Sequence, residues 1–208
     1  MMDEASNCVS VPVSLGNGTL FVTGATGWIG RTALHELQQL LGPETFSRRV
    51  RAFASRSRTI ASTGFADGVE RAITVAPLAD LPVIASHEPI GTLLHTAFVT
   101  REHVERVGVE AYISVNRGIT DLVCRALQTS PSARAVVISS GAAAALDSVS
   151  SLEEHIHADP YGVLKREEEL RLGEFENTLV LRAYAVSGRF MRDPGNFALG
   201  NFLLRALD

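Results

Sequence analysis

Thr23-Gly24-Ala25-Thr26-Gly27-Trp28-Ile29-Gly30 is the stretch whose reading decides the fold. Leu20-Phe21-Val22, a short apolar run with the character of a buried strand, precedes it. After it Ile29, Ala33, Leu34, Leu37, Leu40 and Leu41 recur at helical spacing until Gly42-Pro43 ends the helix. Three glycines between a strand and a helix have separate uses. Gly24 permits the tight turn, Gly27 lets backbone approach a pyrophosphate, and Gly30 allows close helix packing. The N–H groups at the helix start, around Thr26, Trp28 and Ile29, then face an anion, and the helix dipole adds to the attraction. This context predicts a dinucleotide site; a purely structural glycine turn is the alternative.

Outward from the loop, strands alternate with helices. Further strands are expected at 50–54, 71–75, 91–95, 135–139 and 178–182, and helices at 110–128, 161–172 and from Asn196 onward. Residues 55–70 read as a polar loop with room for a short helix. The 135–139 run is almost continuously apolar, as in strands covered on both faces. The pattern predicts an α/β chain: a Rossmann-type doubly wound parallel sheet with helices on both faces. Residues 1–17 read as a flexible leader, 18–195 as the cofactor-binding domain, and 196–208 as the start of a helix.

The end of the second strand bears on the cofactor. Enzymes that use NAD place an Asp or Glu there for the ribose 2′-hydroxyl. Here the stretch is Ala54-Ser55-Arg56-Ser57-Arg58, without an acid. Arg56, supported by Ser55 and Arg58, suits a 2′-phosphate through charge-assisted hydrogen bonds. NADP(H) is therefore favoured, with NAD(H) as the alternative and a solvated arginine loop as the plain reading.

Tyr161-Gly162-Val163-Leu164-Lys165 sets a phenol and an ammonium one helical turn apart. A nearby positive charge favours the phenolate, which makes Tyr161 a candidate general acid or base. On spacing alone the pair also fits a surface helix edge. Ser140 closes the 135–139 strand, where its hydroxyl either orients a substrate oxygen or caps the next turn.

Taken in order, these motifs resemble the extended short-chain dehydrogenase/reductase superfamily, specifically its NAD-dependent epimerase/dehydratase family. Leu94-His95-Thr96-Ala97, Asn116-Arg117-Gly118-Ile119-Thr120 and Leu181-Arg182 through Gly188 extend the likeness to about residues 19–195. The resemblance implies that Tyr161 is the acid/base, that Lys165 binds the nicotinamide ribose and tunes Tyr161, and that Ser140 orients the substrate. It implies that His95, Ala97 and Phe98 line the adenine-ribose side of a cleft and that Tyr184 to Val186 line the nicotinamide side. Asn116 is placed near the cofactor or in a structural role. The implied reaction is hydride transfer at a carbinol or carbonyl carbon of a small ketone or alcohol, a nucleotide sugar among them. A homodimer through helices 110–128 and 160–172 is also implied. The charged run Lys165-Arg166-Glu167-Glu168-Glu169 in the second of these helices reads as a solvated face.

The sequence departs from the family at three places. Asp80 or Pro77 stands where an adenine-binding Asp is usual. Gly141 to Ala145 replaces the Asp-Glu pair of the dehydratases, which leaves epimerisation or ketone reduction. The chain stops at Asp208, where extended members continue into a substrate domain, so the substrate half is expected to be largely absent. A non-catalytic NADP-binding module is the alternative reading.

Composition narrows the remaining classes. The net charge of −4 and scattered basic residues argue against nucleic acid. Cys8 and Cys124 have no metal-ligand spacing, so no metal is expected. No apolar run reaches the roughly 18 residues of a membrane span, and the N-terminus has no signal-peptide pattern. A cytoplasmic setting is expected.

Overall fold

The computed structural model describes residues 16–62, 64, 66–191, 195 and 198–207, with the side chains of residues 198 and 199 excepted. The expected leader therefore lies outside the described residues except for Gly16 and Asn17, as do Cys8 and Asn196.

Seven strands form one sheet: β1 (Thr19–Thr23), β2 (Val50–Ala54), β3 (Arg58–Ser62), β4 (Arg71–Pro77), β5 (Ile90–His95), β6 (Arg134–Ser140) and β7 (Thr178–Ala183). Their spatial order is β3-β4-β2-β1-β5-β6-β7. All neighbouring pairs are parallel except β3 with β4. Without the antiparallel edge strand, the order is the one found in dinucleotide-binding sheets. Chain order reverses at β1, between β2 and β5. Ligands of open α/β sheets bind in the crevice beyond the strand ends at such a point.

The helices are α1 (Trp28–Arg49), α2 (Leu81–His87), α3 (Val104–Val107), α4 (Val109–Gln128), α5 (Pro160–Leu172) and α6 (Ala198–Leu207). Strand side chains alternate between the two faces. Phe21, Phe53, Leu93 and Val137 pack with Leu81, Val123, Leu127 and Leu172 on one side. Leu20, Val22, Ala52 and Val75 pack with Leu34 and Phe46 of α1 on the other. A third cluster joins Tyr112 and Ile113 of α4 to Val163 and Leu164 of α5 and to Leu146 and Ile156. It fixes α5 beside α4 beneath the candidate site.

Two local readings change. The helix that follows the glycine loop does break at Gly42, which adopts a φ of 68°. Pro43 then opens a second helical segment that runs on to Arg49, in keeping with the missing N–H of proline at a helix start. The expected loop at 55–70 contains β3, paired in register with β4 from Arg58↔Val75 to Ser62↔Arg71. Ile60 is its contact with the core. α2, absent from the sequence reading, covers the sheet with Leu81 and Ala85.

No helix among the described residues is long and apolar enough to cross a membrane. The apolar residues Phe202, Leu203 and Leu207 of α6 remain exposed, as do Leu179 and Leu181 of β7.

Candidate functional site

Gly24 follows β1 directly with a φ of 70°, in the left-handed region that favours glycine. A Cβ there would also meet the Ala97 amide nitrogen at 2.7 Å and the Thr96 hydroxyl at 2.5 Å. The loop after β5 thus lies directly against the glycine turn across the point of strand reversal. Gly27 N–H donates to the Gly24 carbonyl at 2.9 Å and closes the turn. A Cβ on Gly30 would collide with that same carbonyl, so Gly30 is required by the loop itself. Gly27 differs: its nearest neighbour for a Cβ is the Gly24 carbonyl at 3.2 Å. Protein packing requires glycine at 24 and 30, whereas a Cβ at 27 would ask its neighbour to give by only a few tenths of an ångström.

Gly27 caps α1 without a side chain, and no acid occupies the first helical turn. This helix start, with Thr26, Trp28 and Ile29 around it, suits an anion. Ser55, Arg56 and Arg58 are exposed. Arg58 is the first residue of β3 rather than part of a loop. Arg31, which the sequence reading passed over, stacks its guanidinium 4.4 Å from the centroid of the Phe190 ring. It lines a cleft of about 140 Å³ with His35, Ile60, Ser62 and Arg189.

At the ends of β6 and β7, Ser140 pairs in register with Ala183. The Ser140 hydroxyl accepts the Ala142 N–H at 3.2 Å and caps a short 3₁₀ helix, Gly141–Leu146. Its own proton remains available to a ligand. Tyr184 is 78% exposed, and its ring covers Gly141 so closely that a Cβ there would meet a ring carbon at 2.5 Å. Val186 is also exposed. A Cβ on Gly162 would meet the Ala142 carbonyl at 3.3 Å, which sets the first turn of α5, and Tyr161 with it, beside this segment.

Arg182 ties the platform together. It donates to both Glu169 oxygens at 2.8 and 2.7 Å and to both Asp147 oxygens at 2.6 Å. These bonds join β7, α5 and the 3₁₀ segment. Burial would raise the Glu169 carboxyl, yet the Arg182 bonds hold it below its ordinary value. The hydrogen bond from Arg182 lowers Asp147 as well.

The Tyr161 ring lies edge-on to Phe98, with centroids 5.7 Å apart, and the Arg101 guanidinium sits 5.0 Å from its centroid. The Lys165 ammonium is 3.9 Å from the centroid of Phe98. It donates to Glu168 Oε2 at 2.8 Å and to the Ile138 carbonyl at 3.0 Å. Lys165, Phe98 and Tyr161 therefore form one cluster.

Two of the expected site residues, His95 and Asn116, are buried. His95 is 1% exposed and bonds Thr23 Oγ1 at 2.7 Å through Nδ1 and Glu168 Oε1 at 3.1 Å through Nε2. Its imidazole does not line the cleft, because both ring nitrogens are engaged inside the core. Asn116 is 1% exposed; its Oδ1 accepts the Val99 N–H at 2.8 Å and its Nδ2 donates to the Val99 and Tyr112 carbonyls. Its amide holds the strand-to-helix connection after β5. Ala97, 8% exposed, contributes backbone against Gly24.

The charged run in α5 is not a solvated face either. Lys165, Glu168 and Glu169 are buried, and Glu167 pairs with Arg117 of α4 at 2.7 Å. A pattern reading counts these charges as exposed because His95, Arg117 and Arg182, which meet Glu168, Glu167 and Glu169, are distant in sequence. One signal was available: of 19 lysines and arginines, Lys165 is the only lysine.

The described residues contain no group of three or more metal-binding side chains. Cys124 is a buried free thiol whose pKa burial pushes up.

The strand order, the glycine turn at the reversal point and the Ser140–Tyr161–Lys165 platform define a Rossmann-type α/β protein. The sequence matches the NAD dependent epimerase/dehydratase family over residues 20–195, and the chain belongs to that family. No curated protein matches the sequence. Among solved structures, the fold is similar to MoeE5 in complex with UDP-glucuronic acid and NAD, with 22% identity and a TM-score of 0.62 over 91% of this chain and 61% of that one. UDP-N-acetylglucosamine 4-epimerase from Methanobrevibacter ruminantium M1, in complex with UDP-N-acetylmuramic acid, gives 19% identity and a TM-score of 0.63 over 92% and 63%. A thiolation-reductase di-domain from an archaeal non-ribosomal peptide synthetase gives 17% and 0.55 over 90% and 59%. The chain thus spans about three fifths of the length of these structures.

Proposed function

We propose that this chain binds a nicotinamide dinucleotide along the glycine turn and serves an oxidoreductase or epimerase of the extended short-chain type. The observation that carries the reading is the convergence of Gly24–Gly30, Ser140, Tyr161 and Lys165 on the C-terminal edge of one parallel sheet, within the family match. The bound nicotinamide would supply the hydride donor or acceptor. The helix start at Gly27 would hold its pyrophosphate, and Tyr184 and Val186 would flank its ring.

The chain's own groups supply the proton chemistry. Tyr161 moves a proton to or from the oxygen of a carbonyl or carbinol, while the Ser140 hydroxyl donates a hydrogen bond to that oxygen. Lys165 sets a fixed positive charge one helical turn from Tyr161 on α5. NADP(H) is the favoured cofactor: Arg56 and Arg58 are exposed cations at an acid-free corner, with Ser55 directly after β2. NAD(H) is the alternative, and MoeE5, of the same fold, holds NAD. A nucleotide sugar is the favoured substrate class, since two of the similar structures hold UDP-sugar ligands. Residues 196–208 would begin the part that reads the substrate.

A homodimer through α4 and α5 belongs to the same reading, supported by the half-exposed Val115 and Leu170 on those helices; light scattering checks it. The buried free thiol suits a reducing, cytoplasmic setting.

Fluorescence titration with NADPH and NADH, followed by cofactor turnover with UDP-glucose and a ketone panel, tests the reading. Tyr161→Phe should lower turnover by roughly 10²–10⁴-fold. The second reading, a binding module without turnover, draws on the inward engagement of the Lys165 ammonium. It predicts cofactor binding with no turnover on any substrate of the panel.

A further inference from the structure

Glu168 is fully buried, and its carboxylate lies between two nitrogen bases. Oε2 is 2.8 Å from Lys165 Nζ, and Oε1 is 3.1 Å from His95 Nε2. Behind His95, Nδ1 meets Thr23 Oγ1 at 2.7 Å, and that oxygen also accepts the Thr96 N–H at 3.3 Å. The assignment that gives each donor an acceptor has the Thr23 hydroxyl donating to Nδ1 and Nε2 donating to Glu168. A continuous chain therefore runs from the last residue of β1, beside Gly24, through β5 to α5.

Such a cluster is a poor device for stability. Burying a carboxylate is costly, and an apolar set of the same volume commonly serves the fold as well or better. The chain otherwise uses arginine for all its long cations, eighteen of nineteen, several of them in carboxylate pairs. Its single lysine stands where an ammonium has three donors to distribute. Glu168 takes one and the Ile138 carbonyl another, which leaves one for a ligand or for Tyr161.

We propose that Glu168 is a positioning residue: it holds the Lys165 ammonium oriented for the cofactor ribose and Tyr161, and His95 in turn holds Glu168. The inference rests on the nicotinamide-binding reading above. It adds two residues outside the Tyr161–Lys165 motif and gives His95 a role without a place in the cleft. Burial opposes ionisation of Glu168, but the charge of Lys165 and the bond from His95 keep its carboxyl below the ordinary value. The acceptor therefore stays an anion at neutral pH.

Because Lys165 is the only lysine, the full chain labelled with ¹³C,¹⁵N-lysine gives one Hε–Cε resonance from this site. Over the face of Phe98 that resonance should be displaced upfield of free lysine. In Glu168→Gln, with the circular dichroism of the folded chain retained and melting lowered by loss of the buried pair, it should return toward the free position. The NADPH dissociation constant should rise by about tenfold, as expected when one charge-assisted contact is lost. A wild-type resonance at the free-lysine position overturns the proposal, as does an E168Q protein with resonance and affinity unchanged. Should E168Q fail to fold, Glu168→Asp, which withdraws the charge by one methylene, takes its place. A resonance that E168D leaves in place also overturns the proposal. If the wild-type chain binds neither NADPH nor NADH, the nicotinamide reading fails, while the lysine resonance still reports whether Glu168 holds Lys165.

Discussion

Glu168 and Lys165, one helical turn apart on α5, form an ion pair of 2.8 Å with side-chain exposures of 0% and 7%. Its energetics follow from burial. Lys165→Met would leave Glu168 in the core with only His95 and should cost roughly 3–5 kcal/mol in chemical denaturation. Replacing both residues by Met should cost clearly less than the single change, since no buried charge is then unpaired. A double variant as unstable as the single one would show that the pair itself is stabilising.

The glycine turn separates structural from ligand-driven demands. Gly30→Ala should destabilise the chain by about 2 kcal/mol through collision with the Gly24 carbonyl. Gly27→Ala needs an adjustment of a few tenths of an ångström and should melt close to wild type while losing most of its dinucleotide affinity. Thermal melting and fluorescence titration of both variants check this contrast. Equal melting losses would place both glycines in the same structural role.

The acid-free corner predicts cofactor preference. Arg56→Ala should weaken NADPH binding about tenfold or more, the worth of one charge-assisted contact, and leave NADH binding unchanged. Melting should not move, because Arg56 is exposed. Parallel losses for both cofactors would remove Arg56 from the 2′-phosphate site.

Acid should loosen the platform under the site. Glu168, Glu169 and Asp147 all have folded-state pKa values below their ordinary ones. A depressed carboxyl contributes stability above its unfolded pKa and loses it as pH falls through the folded value. The contribution of this cluster should be complete above about pH 5 and fade below the ordinary glutamate value of 4.5. Arg182→Met, which removes the bidentate partner of Glu169 and Asp147 and leaves them Arg166, should be less stable at pH 7 and show a shallower acid dependence. Denaturation across pH 3–7 reads both slopes.

Much of the fold was legible because continuous apolar strands and helical spacing record burial locally, as in Leu20–Val22 and the 135–139 run. β3 was not, since an antiparallel edge strand with Ile60 as its core contact carries almost no pattern. The charged face of α5 was misread for a related reason. Besides the i,i+3 pairs within the helix, its partners lie on other elements, Glu168 bonding His95 of β5 and Glu169 bonding Arg182 of β7. The motif residues Ser140, Tyr161 and Lys165 were legible from order and spacing, but the burial of His95 and Asn116 depends on tertiary neighbours that no local pattern records.

The central claim is that a nicotinamide dinucleotide binds along Gly24–Gly30. Calorimetric titration of the full chain with NADPH and with NADH tests it most directly. The account predicts saturable one-to-one binding, tighter for NADPH and abolished by Gly27→Asp, which sets a carboxylate at the pyrophosphate position. Absence of binding to either cofactor, or binding that Gly27→Asp leaves intact, would contradict it.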